Sequence, residues 1–482
     1  MAAAARVTAV EGEARDRAPA GVPRGLVPVA GFACLVVALQ QTLVVPGVPA
    51  FPALLGESPA AVSWLVTATL LTGAVATPIV ARLSDMVGRR RMLVLAMTFV
   101  LVGSLVAPLG GLGTIVLGRA LQGVGTALVP VAMAQMRDSL PAGRVAPALA
   151  LLSATLGIGG GVGVPLGGLI LDTLSWQWLF WVSAGLSVAA VVLLARTVPA
   201  HRPAPSGGFD LTGAALLSVT LLALLLGVSQ GGAWGWADLR TLGCGAVAVV
   251  AGLTWGGLEL RHAAPLVDLR SAARRPVLFT HLASLTLGAL MFANLLLTTM
   301  QLQGPPSEGG FGWSARDAGL AMLPNALAMF AVAPFTARLA GRLGARAVLV
   351  AGAAVTAAGY LLRVVATPSG ATAVVWTTVV GIGVGIGYAA LPMLITRHTP
   401  GHEIGAANGL NALLRAIGTA VASAGVAAVA AALAVEHGGE AVTSAAALTT
   451  VSVCGVAVGL LTLGFAVLVR TDRPTDQQED PA

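Results

Sequence analysis

The chain has 482 residues, of which 56% are hydrophobic and 10% charged, with a formal net charge of +7. A soluble protein of this size carries about a quarter of its residues as Asp, Glu, Lys and Arg. A water-soluble enzyme or regulator is therefore excluded, and most of the outer surface must face lipid.

The first 25 residues mix charge with proline and lack the short apolar segment and cleavage site of a secretory signal. They predict a disordered cytoplasmic tail, as do residues 471–482. A helix needs about 20 apolar residues to cross the hydrocarbon of a bilayer. Windows of that kind fall at 26–50, 60–81, 92–110, 112–135, 146–170, 178–196, 211–229, 241–260, 277–301, 317–337, 346–366, 371–395, 405–434 and 445–469. The three cysteines, Cys34, Cys244 and Cys454, lie inside these apolar runs and read as packing residues, not as a disulfide or metal set.

All 27 basic residues are arginine. None sits in an aromatic-interleaved basic run, so no nucleic-acid partner is implied. With a cytoplasmic N-terminus, twenty-two arginines fall in cytoplasmic segments, and only Arg240, Arg316 and Arg363 fall outside. Arg119 and Arg415 lie within spans, which leaves Arg415 as the only buried arginine besides Arg119. This asymmetry obeys the positive-inside rule and puts both termini in the cytoplasm.

The segments 76–91 and 332–347 align without gaps at an offset of 256 residues, with Pro78 on Pro334, Ala81-Arg82-Leu83 on Ala337-Arg338-Leu339, Gly88 on Gly344 and Arg90 on Arg346. The first closes the second window and the other closes the tenth. A duplicated six-helix unit with two extra helices between the copies fits that offset, and parallel repeats of this kind build transporters that rock around a midplane site. The expected division is a six-helix bundle over 26–200, a two-helix insert with linkers over 201–275 and a second bundle over 276–470.

Several stretches carry chemistry. The first window holds Leu39-Gln40-Gln41-Thr42, two amides in an apolar run. Asp85, Gly88, Arg89 and Arg90 end the second window; the glycine permits a tight turn, and the acid beside arginines suits a charge latch between the two halves, unless the arginines only set topology. Arg119 and Gln122 lie in the fourth window. An arginine within a span costs about 2.5–3.5 kcal/mol on insertion scales, so it faces a wet cavity in a functional role or snorkels to the interface. Gly157 to Gly168 contains Gly159, Gly163, Pro165, Gly167 and Gly168, small residues that let a neighbouring backbone approach and a proline that bends the helix. Trp176-Gln177-Trp178-Leu179-Phe180, the run Gly312 to Pro324, and Asn411 to Gly418 follow.

In order and spacing these stretches resemble the major facilitator superfamily, and within it the fourteen-helix drug–proton antiporters, over about residues 37–470. The resemblance implies an all-α integral membrane fold with fourteen transmembrane helices, two six-helix halves plus two inserted central helices. It also implies efflux of drug-like or natural-product molecules by alternating access, driven by protons. Asp85, Gly88, Arg89 and Arg90 match the family's loop latch, Arg119 and Gln122 its coupling motif, and Gly159, Gly163, Pro165, Gly167 and Gly168 its antiporter motif. Departures occur at Ala81 in place of glycine, at Gln177 in place of arginine and at Pro165, one position late. The second copy of the loop has Gly341 where the first has Asp85.

The family's proton-carrying aspartate of the first span falls at Gln40, and an amide does not titrate. None of the 20 acids lies near mid-bilayer; His281 is the one intramembrane group with an ordinary pKa near 7. Candidate cavity residues are Gln40, Gln41, Thr42, Asn294, Gln301, Asn325, Asn408, Asn411 and Arg415. A pocket without carboxylates favours neutral, zwitterionic or anionic substrates, and the arginines lean toward the last. An uptake carrier or uncoupled uniporter of the same fold is the alternative reading. No HExxH motif and no paired intramembrane Asp is present, so an enzyme is not expected. The expectation is a monomer in a bacterial inner membrane, with a small-molecule substrate, protons and lipid as partners and no cofactor or metal.

Overall fold

The computed structural model describes residues 25–48, 51–57, 59–62, 64–200, 210–262, 269–367, 369–399, 404–437 and 440–469. The expected tails, apart from Gly25, lie outside the described residues. Fourteen helices among the described residues are long and apolar enough to cross a membrane: α1 Leu26–Gly47, α2 Trp64–Val87, α3 Arg89–Leu109, α4 Leu112–Ser139, α5 Gly143–Thr173, α6 Trp178–Thr197, α7 Leu211–Gly232, α8 Leu239–Glu259, α9 Arg275–Gln303, α10 Arg316–Leu343, α11 Ala345–Val365, α12 Gly370–His398, α13 Ala407–Ala432 and α14 Ala445–Leu468. Each overlaps one of the apolar windows. Between α13 and α14, strands β1 (Ala434–His437) and β2 (Glu440–Thr443) pair antiparallel.

The sequence repeat has a structural counterpart. Gly88 alone separates α2 from α3 at φ 108°, and Gly344 alone separates α10 from α11 at φ 83°. A side chain is strained at either angle, so glycine is what lets two helices follow each other with one residue between them. Pro78 and Pro334 lie within the preceding helices. Two residues past each glycine, an arginine reaches the end of its own half: Arg90 donates to the Ala195 carbonyl in α6, and Arg346 to the Val467 carbonyl in α14 at 2.6 Å. Both arginines therefore cap carbonyls at a helix end, which otherwise lack partners.

One apolar core joins α1, α3, α4, α5 and α6 through Val36, Leu93, Met136, Leu152 and Leu194, with Val80 and Leu83 of α2 packed against it. A second joins α9 to α14 through Leu287, Met329, Val348, Leu391, Val426 and Val451. The two groups meet where α5 packs on α10 and where α2 packs on α13. Across that second seam lies α7, whose Leu217, Leu221 and Leu225 pack with Leu71 of α2 and with Leu413 and Ala420 of α13. Its neighbour α8 is buried over only 11% of its span and stands outermost.

Candidate functional site

A cavity of about 160 Å³ lies at the centre, walled by α1, α2, α4, α5, α9, α12 and α13. Its polar wall includes Gln41, Thr42, Thr69, Arg119, Tyr388 and Arg415. A neighbouring cavity of about 250 Å³ shares Val45, Val66, Leu70 and Phe292 with it and extends along α7 to Leu225 and Ser229. Among the described residues, no Asp or Glu lines either cavity. The α7 wall is tied to α2 by a 2.5 Å hydrogen bond between the Ser229 and Thr67 hydroxyls.

The paired glutamines diverge. Successive helical residues point about 100° apart, and here Gln41 faces the cavity while Gln40, 1% exposed, turns into the first helix group. Gln40 Nε2 donates to the Gln122 carbonyl at 3.2 Å. Arg119 then binds the same corner: Nη1 donates to the Gln40 carbonyl at 2.9 Å and to Gln122 Oε1 at 3.0 Å, and Nε donates to the Leu65 carbonyl at 2.9 Å. Gln122 Nε2 passes the chain on to Ser104 at 2.8 Å, and Ser104 meets Ser183 at 3.0 Å. One guanidinium thus fastens α4 to α1 and α2 while forming part of the cavity wall. Its charge is solvated by oxygen dipoles, and no carboxylate pairs with it among the described residues.

Arg363 corrects the sequence reading. It lies within α11, 4% exposed, and not in an outer loop. Nη1 donates to Asn294 Oδ1 at 3.2 Å, Thr298 Oγ1 at 2.8 Å and Thr377 Oγ1 at 2.9 Å, and Nη2 donates to Gln301 Oε1 at 2.9 Å. Asn294 and Gln301, expected on the cavity wall, instead satisfy this arginine. Arg415 is therefore not the only buried arginine besides Arg119, and it is itself only half-buried. Its guanidinium carbon lies 5.1 Å from the Tyr388 ring centroid. A charge three residues from the end of an apolar window reads as loop by hydropathy alone; four acceptors spaced on α9 and α12 were the missing signal.

The remaining amides scatter. Asn325 and Asn294 line a separate void of about 20 Å³. Asn411 is buried, and its carbonyl accepts from Ser284 at 3.2 Å; Asn408 is buried on the same helix. His281 is buried and lines neither cavity.

The glycines of α5 divide between two neighbours. Gly159, Gly163 and Gly167 repeat every four residues and face α1: a Cβ on Gly159 would stand 2.6 Å from the Leu35 carbonyl, and one on Gly163 2.7 Å from the Leu39 carbonyl. Gly161 faces Ala326 of α10, and Gly319 of the α10 segment sits against Pro165. Gly168 is buried beside Gly167. The helix is thus a thin strip held between α1 and α10, with backbones closer than any side chain permits.

Among the described residues, no ion pair of the loop charges bridges the two groups. Arg89 pairs with Asp85 at 3.3 Å and with Asp138, and it donates to the Ala134 carbonyl at 2.8 Å. These contacts join the ends of α2, α3 and α4. Among the described residues, the ion pairs of the expected latch lie at these three helix ends.

A polytopic helical protein whose two packed groups enclose a polar-walled central cavity has the build of a membrane transporter. The chain belongs to the Major Facilitator Superfamily, whose family model matches residues 30–423 and 307–481. That family and fold are those of transporters and not of enzymes. The chain is 30% identical to the uncharacterized MFS-type transporter Rv1877 of Mycobacterium tuberculosis over 82% of this chain and 57% of that one, so it spans little more than half of that relative. It is 31% identical to the cephamycin export protein CmcT of Amycolatopsis lactamdurans over 80% of each chain. Among solved structures, that of the human organic anion transporter MFSD10 (TETRAN) superposes with a TM-score of 0.63 at 17% identity, covering 92% of this chain and 99% of that one. At that identity the likeness concerns the fold.

Proposed function

We propose that the protein exports drug-like or natural-product organic molecules from bacterial cells by alternating access, drawing on the proton gradient. The observation that carries this reading is the central cavity, walled by helices of both groups and bearing Gln41, Thr42, Arg119 and Arg415. The similarity to an antibiotic export protein supports the outward direction. Each cavity is smaller than the about 300–1,000 Å³ of ordinary ligand pockets. A bulky substrate therefore enters only when α2 and α13, or α5 and α10, move apart. Those are the seams at which the two groups meet, and Gly161 of α5, against Ala326 of α10, gives one of them a smooth surface to rock upon.

In this reading the protein works as a monomer in the inner membrane, with both termini cytoplasmic and the arginine-rich loops facing the cytoplasm. Arg119 and Gln122 act as the coupling corner, Asp85, Gly88, Arg89 and Arg90 steady the cytoplasmic ends of α2 to α4, and Gln41, Thr42 and Arg415 contact substrate. The absence of carboxylates from both cavity walls favours a second reading, an uncoupled carrier. Proteoliposomes holding a pH-sensitive dye separate the two. Substrate addition moves protons if the antiporter reading holds; transport with no accompanying proton movement identifies the uncoupled carrier.

A further inference from the structure

Arg119 and Arg363 are the two fully buried arginines among the described residues, and protein oxygens hold both. Arg119 donates to three oxygens and Arg363 to four. Arg415 differs: its only partner among the described residues is the Tyr388 ring, 5.1 Å away. Both Arg415 and Tyr388 line the central cavity, where no acid among the described residues answers the charge. Gly288 makes this position possible, because a Cβ there would stand 3.0 Å from Arg415 Cγ.

A cation held in a water-poor wall without a counter-charge is costly, and such residues mark binding paths. An aromatic face offsets part of that cost while leaving the guanidinium edge, with its fork of donors, directed elsewhere. Beyond the shared residues Val45, Val66, Leu70 and Phe292, the second cavity is walled mainly by aliphatic side chains such as Leu71, Leu225, Leu296 and Ala424.

We propose that Arg415, backed by Tyr388, binds the anionic group of an amphiphilic organic anion, a carboxylate or sulfonate, whose apolar body occupies the neighbouring cavity toward α7. The proposal rests on the export reading only in taking this cavity as the substrate path. Arg119, also on the cavity wall, contributes long-range positive potential, and Arg363, which lines neither cavity, contributes no contact. The site thus selects against permanent cations by charge and selects among anions by the length of apolar surface they carry.

The test uses the purified full-length protein in detergent with a matched pair of probes, dansylglycine and its neutral methyl ester, followed by tryptophan-to-dansyl energy transfer. The wild type is expected to bind the acid at least about tenfold more tightly than the ester, as loss of one charge-assisted contact commonly costs that factor or more. Arg415→Gln should bring the acid down to the ester's affinity with the ester unchanged, and Arg415→Lys should recover part of the preference. Equal wild-type affinities, binding of neither probe, or an acid preference that survives in Arg415→Gln overturns the proposal. If Arg415→Gln binds neither probe, Arg415→Lys decides: a kept preference supports the site, and a lost preference with the ester still bound refutes it. Direction is read separately in cells. A protein that prefers the acid but does not lower its intracellular level retains the anion site and loses the export reading; one that expels acid and ester alike does the reverse.

Discussion

Arg119 Nη1 donates to the backbone carbonyl of Gln40 at 2.9 Å, so α4 grips α1 through its main chain, whatever side chain stands at position 40. The Gln40 side chain itself reaches Gln122, away from the cavity. This separates a structural amide from its cavity-facing neighbour Gln41. Gln40→Leu should lower stability by about 1 kcal/mol, the usual net value of one hydrogen bond, with the apparent substrate affinity unchanged. Gln41→Leu should do the opposite, shifting KM in a transport assay and leaving the thermal unfolding midpoint in place.

Arg363 holds four side-chain oxygens from α9 and α12. Arg363→Met would leave Asn294, Thr298, Thr377 and Gln301 to find partners among themselves. The expected loss is about 3 kcal/mol or more, since hydrogen bonds to a charged group contribute about 1.5–3 kcal/mol each and do not add fully. Arg363→Lys should recover only part of it, because an ammonium cannot span the same fork. Thermal unfolding of the purified variants checks the ordering wild type, Lys, Met.

Gly163 lies where α5 and α1 touch backbone to backbone. Gly163→Val must push the helices apart, at about 1–3 kcal/mol for an overpacked contact. Transport should fall far more than expression does, because the displaced α5 carries the seam with α10 on its other face. Gly185→Ala, where an added methyl meets nothing within 4 Å, should behave as wild type in the same assay.

The Thr67–Ser229 hydroxyl pair makes α7 part of the cavity wall and not a peripheral addition. In a double variant, Thr67→Cys with Ser229→Cys, the two sulfurs start close enough to bond on mild oxidation. Crosslinking should arrest transport, and reduction should restore it. Undiminished transport in the crosslinked protein would mean that α2 moves without parting from α7.

Much of this architecture was legible in the sequence, because lipid demands unbroken apolar length and leaves fourteen windows of the right size. The repeat was legible too: Gly88 and Gly344 occupy matching positive-φ turns, and Arg90 and Arg346 make matching contacts. The site was read less well, for reasons of facing and distance. Neighbouring residues on a helix point about 100° apart, so QQ in a string could not say which amide meets the cavity. Arg363 stood near a window edge, where hydropathy is indifferent to three residues in either direction. The Arg89–Asp138 pair joins residues 49 apart in the chain and has no local signature. Tyr388, one of two tyrosines, carried no motif and emerged only through its ring against Arg415.

The export claim is tested most directly by the steady-state level of a fluorescent organic anion such as dansylglycine in bacterial cells expressing the protein, against cells carrying the empty vector and cells expressing Gly163→Val at equal membrane abundance. The account predicts a lower intracellular level in the first than in either control. An intracellular level equal to that of the vector cells, or above it, would contradict it.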